Sequence, residues 1–160
     1  MNISQTKINT ARNIVGWYTL AASAKGAVPV PAASVVIVGN NTYMITHIGA
    51  VMGKTVHWQD VAASLGAMAV VNMFGKTVFI EGAKFLSWGT GSFWALAGVS
   101  ALGASTAALQ TYLVGTITIE MCINGGVALK RTQAKKVISN ATSNYKAFVT
   151  EMKSKNLSAP

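Results

Sequence analysis

A chain of 160 residues with 51% apolar side chains, only 11% charged ones and a net charge of +9 has a positive mean hydropathy of +0.42. Ordinary soluble domains carry about 25% charged residues, so these totals argue against a free soluble enzyme and for a membrane protein or a domain buried in an assembly, with enough length for one core. The single cysteine, Cys122, excludes an internal disulfide and suits a reducing or membrane-buried setting.

From the N-terminus, Ile8, Ala11, Ile14, Val15, Tyr18 and Ala22 recur at helical spacing and predict an amphipathic helix over 8–24, with Lys7 and Arg12 near its start. Ala22-Ser23-Ala24 has the small-x-small form of a leader cleavage site, but the segment is read as retained. Pro29 and Pro31 then stop the helix, because proline removes an amide donor and pushes its predecessor to extended geometry.

A second helix is expected from Ala32 or Ser34 to about Gly53, with Asn40, Tyr43, His47 and Lys54 as a polar stripe on an otherwise apolar surface. That stripe fits a solvated side or a polar lining inside a bundle. Asp60 suits the first turn of a third helix over 59–74, rich in Ala and Gly, and residues 75–88, a fourth helix or the continuation of the third past Gly75, would carry Lys76, Glu81 and Lys84.

Residues 85–119 contain no Asp, Glu, Lys, Arg or His. After the Gly89-Thr90-Gly91-Ser92 break, this run could reach roughly 40 Å as a helix, against a hydrocarbon core of about 30 Å. Its composition is small: Ala97, Ala101 and Ser105, Gly103 and Ala107, and Ala104 and Ala108 are each spaced by four, and Gly115 follows. Such ladders let helix backbones approach closely. Gly125-Gly126 reads as a stop or hinge. The last helix puts Ala134, Val137, Ile138, Ala141, Tyr145, Phe148, Val149 and Met152 on one apolar face. Docking of that face on the rest of the chain, a membrane-surface helix, and partner binding are the three readings it allows.

Seven of the thirteen basic residues follow position 128, where Glu151 is the only acid. Lys130, Arg131, Lys135, Lys136 and Lys146 are therefore the expected contacts with an anionic membrane surface or a partner. Aromatic residues do not interleave with them, which disfavours nucleic acid.

Pro29, Pro31, Met44, Ile45, Ile48 and Gly53 are followed at a fitting distance by Thr111, Tyr112 and Gly115 in an alanine-rich stretch. This pattern, over about 10–122, resembles the domain of unknown function of YcjF-type bacterial inner-membrane proteins, also found behind Era-like GTPase modules. The resemblance implies a helical, membrane-linked module working beside a separate GTPase, and it supplies no catalytic residues. Ser34 stands at the family's acidic position, Gly49 at its alanine and Met52 at its tyrosine. The chain has no GxxxxGK[ST] phosphate loop.

The inventory for chemistry is thin. Asp60, Glu81, Glu120 and Glu151 form no close pair in sequence, His47 and His57 join no metal-ligand spacing, and Cys122 sits among apolar neighbours. No cofactor, metal or small-molecule substrate is expected. Glu120 is read as an interfacial helix end balanced by Lys130 and Arg131, or as an acid in an ion path.

The sequence thus predicts an all-α, membrane-associated protein of five or six helices. A small-residue hairpin (59–88 with 92–122) belongs to an apolar module over 1–127, and a basic amphipathic helix and tail occupy 128–160. The expected role is that of a non-enzymatic, self-assembling structural or adaptor protein of the bacterial inner membrane, its basic tail cytoplasmic. A pore lined by Asn40, His47, Thr111, Thr116 and Thr118, and a soluble helical subunit of a larger assembly, are the competing readings.

Overall fold

The computed structural model describes residues 3–27, 33–65, 93–155 and 157, with side chains over 3–24, 39–65, 106–155 and 157. Five helices account for them: α1 Gln5–Ala27, α2 Ala33–Met52, α3 Trp58–Leu65, α4 Phe93–Ile123 and α5 Arg131–Ser154. No strand occurs among the described residues, so the fold class is all-α. The expected helix over 75–88, the rest of the third helix after Leu65, and the Thr90 and Ser92 caps lie outside them.

Three long helices build the core, and their register follows from a few contacts. Val15 of α1 and Met44 of α2 meet at Gly115 of α4, where an added Cβ would lie 2.6 Å from Val15 Cγ2 and 3.2 Å from Met44 Sδ. One turn on, Thr111 donates its hydroxyl to Asn41 Oδ1 over 2.8 Å. Two turns on, Ala22 packs with Ala107. Rising numbers on α1 therefore meet falling numbers on α4, so these two helices are antiparallel, while α2 runs parallel to α4. The predicted small residues at Ala107 and Gly115 make helix contacts as their size requires. Their partner is α1, a pairing that the spacing within 85–119 could not name. Ala97, Ala101, Gly103 and Ser105 lie on the first half of α4, and their side chains are outside the described set.

Both α2 and α4 end in a Schellman motif, which satisfies the last carbonyls through a glycine at positive φ. At α2, Gly53 (φ +68) donates to the Ala50 carbonyl and Lys54 to the Gly49 carbonyl. At α4, Gly125 (φ +95) donates to Cys122 and Gly126 (φ +92) to Met121. The fold-back over Gly49 brings the Lys54 carbonyl to 2.6 Å from where a Cβ would stand. That contact leaves no room for a side chain at Gly49.

The last helix docks on the bundle. Ala134, Ala141, Phe148 and Met152 are buried, and Val137, Ile138, Tyr145 and Val149 pack against the same core. Phe148 stacks on Tyr112 at 4.4 Å between centroids, and Tyr145 lies 5.4 Å from the same ring. Burying each large side chain contributes about 1.5–3 kcal/mol, which outweighs the weak helix propensity of its Ser, Thr and Asn residues. The apolar face is thereby used internally, so the membrane-surface reading of that face falls. At its entry, Leu129 donates its buried amide to Ser64 Oγ over 2.9 Å, tying the start of α5 to α3.

Candidate functional site

Three features of the described residues could meet another molecule: a polar layer through the bundle, a groove between α1, α4 and α5, and the outer flank of α5.

The polar layer lies one turn from the glycine crossing. Asn40, Asn41, Gln110, Thr111 and Thr19 are all buried there. Asn40 Nδ2 donates to the Tyr18 carbonyl at 3.4 Å, and the Tyr18 hydroxyl lies 2.8 Å from His47 Nδ1. Buried amides and hydroxyls are costly unless paired, so this layer favours one alignment of three helices over its slipped alternatives. Thr19 Oγ1 is buried without a hydrogen-bond partner. The predicted stripe of Asn40, Tyr43, His47 and Lys54 does not behave as one surface. Asn40 is inside, His47 is half-buried at the edge and Tyr43 is 69% exposed. Of the positions expected to line a pore, Thr111 and Thr118 are fully buried and Thr118 donates to the Val114 carbonyl, whereas Thr116 lines the groove.

The groove has a volume of about 490 Å³, an apolar floor that includes Ile8, Val15, Ile119 and Phe148, and charged walls at Arg12, Glu120 and Glu151. Two carboxylates far apart in sequence thus share one concavity, which spacing alone could not reveal. Each is already engaged. Arg12 donates to Glu151 Oε2 at 3.0 Å and stands 5.9 Å from the Phe148 ring centroid, and Lys155 donates to Glu151 Oε1 at 2.7 Å. The Lys155 hydrogen bond holds the Glu151 carboxyl below its ordinary value; burial opposes it, and the Arg12 and Lys155 charges add to the lowering. Glu120 accepts from Asn124 Nδ2 at 3.1 Å. The expected balance with Lys130 and Arg131 is not formed: among the described residues the ion pairs are Arg12–Glu151 and Lys155–Glu151.

Cys122 is fully buried, and burial pushes its thiol up to about 11, the nearby Lys54 charge opposing only in part. A thiol so placed is not a ready nucleophile. No group of three His, Cys, Asp or Glu side chains that could hold a metal occurs among the described residues.

On the outer flank of α5, Arg131, Lys135, Lys136 and Lys146 are exposed, as is Lys130 just before the helix. The other residues singled out by sequence serve packing. Met44, Ile45 and Ile48 are core residues, Gly53 terminates α2, Thr111 bonds Asn41, and Tyr112 anchors α5. Pro29 and Pro31 lie outside the described residues. One helix of the described set is long and apolar enough to cross a membrane, over Thr106–Ile123, and 67% of that window is buried inside the protein.

No family model matches the chain, and neither a curated protein nor a solved structure matches it.

Proposed function

We propose that this chain is a non-enzymatic helical adaptor or structural protein with a charged head and a charge-poor end, the latter seated in a membrane. The observation that carries the reading is the sorting of charge along the bundle axis. Ten of the thirteen cations and three of the four acids belong to residues 7–12, 54–60 and 120–155. These stretches gather where α1 starts and α2 and α4 end. In the opposite direction, α4 runs from Gln110 back to Phe93 without a charge, about 26 Å of helix and close to a hydrocarbon thickness of about 30 Å, and Lys25 near the end of α1 is the one ionisable residue that the described helices carry toward that end.

This assignment moves the membrane contact away from the window over Thr106–Ile123. Thr106–Ile123 is largely enclosed by other helices, and α1 presents Gln5, Lys7, Asn9, Arg12 and Asn13 to the exterior beside it. Lipid tails would not tolerate that exterior. The head therefore belongs in water, and the bilayer segment is the opposite end. Ala97, Ala101, Gly103 and Ser105 are assigned to self-assembly there, because small residues are what helices in lipid use to approach one another. A bacterial inner membrane with the basic residues on the cytoplasmic side fits the positive-inside tendency. The motif-level resemblance adds a GTPase as the protein partner of the head.

A second reading is favoured by the same enclosed window: a water-soluble assembly in which copies of the chain cover each other's charge-poor ends. Fractionation of cells separates the two. The membrane reading expects the full chain to stay in the pellet after alkaline carbonate and to need detergent for release. Recovery as a monodisperse particle without detergent would sink it and select the soluble assembly.

A further inference from the structure

We infer that one flank of α5 is a contact line for the phosphate headgroups of an anionic lipid surface, made by Arg131, Lys135, Lys146 and Lys153. The inference rests on the membrane reading above and names the lipid chemistry that the head would meet.

All four side chains are exposed. Their spacings of four, eleven and seven residues are close to one, three and two helical turns, so they fall on one flank over about 33 Å of helix. Between them on that flank stand Ser139 and Thr142, small and exposed, so a flat surface can approach the whole line. The helix's only acid, Glu151, lies on the other flank, tied to Arg12 and Lys155. Lys136 is about 100° from Lys135 around the helix and lies off the line.

The geometry favours a surface beside the bundle. Arg131 to Phe148 spans about 26 Å of α5. Along the helix its partners change from Ser64 of α3, bonded to Leu129 just before the helix, to Tyr112 of α4 beneath Tyr145 and Phe148, and then to Gly16 of α1 at Met152. The helix therefore crosses α4 obliquely and lies closer to a membrane plane than the bundle axis does. Its apolar face is already docked, so it cannot insert, and the contact is purely electrostatic. Neither an aromatic ring nor a side-chain amide stands among the four cations to stack or read bases, which favours lipid over nucleic acid.

The test follows the initial rate at which the full chain associates with vesicles of neutral phosphatidylcholine, or of the same lipid with about 30% phosphatidylglycerol, at about 50 mM and about 500 mM salt. At about fivefold per cation, the four cations are expected to give the anionic vesicles a gain of roughly several hundredfold at low salt, and that gain is lost at high salt. Changing Arg131, Lys135, Lys146 and Lys153 to Gln removes the gain. Changing Lys7, Lys54, Lys130 and Lys136 to Gln, which takes away the same net charge, keeps most of it, with helical circular dichroism confirming that both variants fold. Equal loss in the two variants, or no dependence on phosphatidylglycerol, overturns the inference. So does tighter binding to a short RNA or DNA duplex that the first variant alone abolishes. Failure to associate with neutral vesicles at high salt would instead count against the charge-poor end as a membrane segment.

Discussion

The Thr111 hydroxyl donates to Asn41 Oδ1 over 2.8 Å inside the bundle, with Thr111 fully buried and Asn41 nearly so. This pair joins α2 to α4 at one register and has no counterpart one turn away, where Val15, Met44 and Gly115 form an apolar crossing. Removing one partner leaves the other buried without its bond. Thr111→Val is expected to cost about 1–3 kcal/mol, whereas Thr111→Val combined with Asn41→Leu should recover part of that loss. Denaturant unfolding followed by helical circular dichroism measures both. If the double variant is less stable than the sum of the singles, the pair is not what matters at this level.

Two glycines offer a contrast in how a bundle absorbs a methyl group. At Gly115 an added Cβ meets both methyls of Val15, at 2.6 and 2.8 Å, and a β-branched side chain has little freedom to move aside. At Gly16 the added methyl meets the Met152 thioether, whose unbranched chain can turn away. Gly115→Ala is therefore expected to destabilise by about 1–3 kcal/mol and Gly16→Ala by clearly less, despite the helix propensity both gain. Thermal unfolding of the two variants side by side decides it; equal losses would mean that the α1–α4 crossing is looser than its contacts indicate.

Glu151 makes stability depend on pH in a stated direction. Its carboxyl is held below the ordinary value of 4.5, chiefly by the Lys155 hydrogen bond and further by the Arg12 charge. A carboxylate whose folded value is depressed contributes stability that is fully present above the unfolded value. That contribution is lost as pH falls through the folded one. The difference in Tm between the natural chain and Glu151→Gln should accordingly be constant at neutral pH and shrink below about pH 4.5. The effect is small because both ion pairs are solvent-exposed, and about 0.5 M salt should reduce it further. A difference that grows on acidification would contradict the assigned pairing.

Periodicity made the helical architecture legible, because a buried face leaves its mark at spacings of three and four. Ile14, Val15 and Tyr18, and later Ala134, Ala141, Phe148 and Met152, are inside as their spacing predicts. The stops at Gly53 and Gly125 were legible for a different reason, since only residues tolerant of positive φ end a helix this way. What spacing cannot express is a partner. Nothing around Gly115 says that Val15, a hundred residues earlier, will lie on it, and nothing near Glu120 places Glu151 in the same groove. The polar stripe of α2 was misjudged as one surface because a stripe about as wide as a helix edge holds both an inner and an outer rim. Asn40 fell on one and Tyr43 on the other.

The antiparallel seating of α1 on α4 also governs how the chain is made. Val15 leaves the ribosome about a hundred residues before Gly115, which at about 5–20 residues per second is roughly 5–20 s of synthesis. Throughout that interval, among the described helices that pack on it, the face of α1 that carries Ala11, Ile14, Val15, Tyr18 and Ala22 has α2 as its cover and lacks α4. The nascent chain is thus an apolar hairpin waiting for its third helix, a natural client for a chaperone or for insertion machinery that receives proteins while they are being translated.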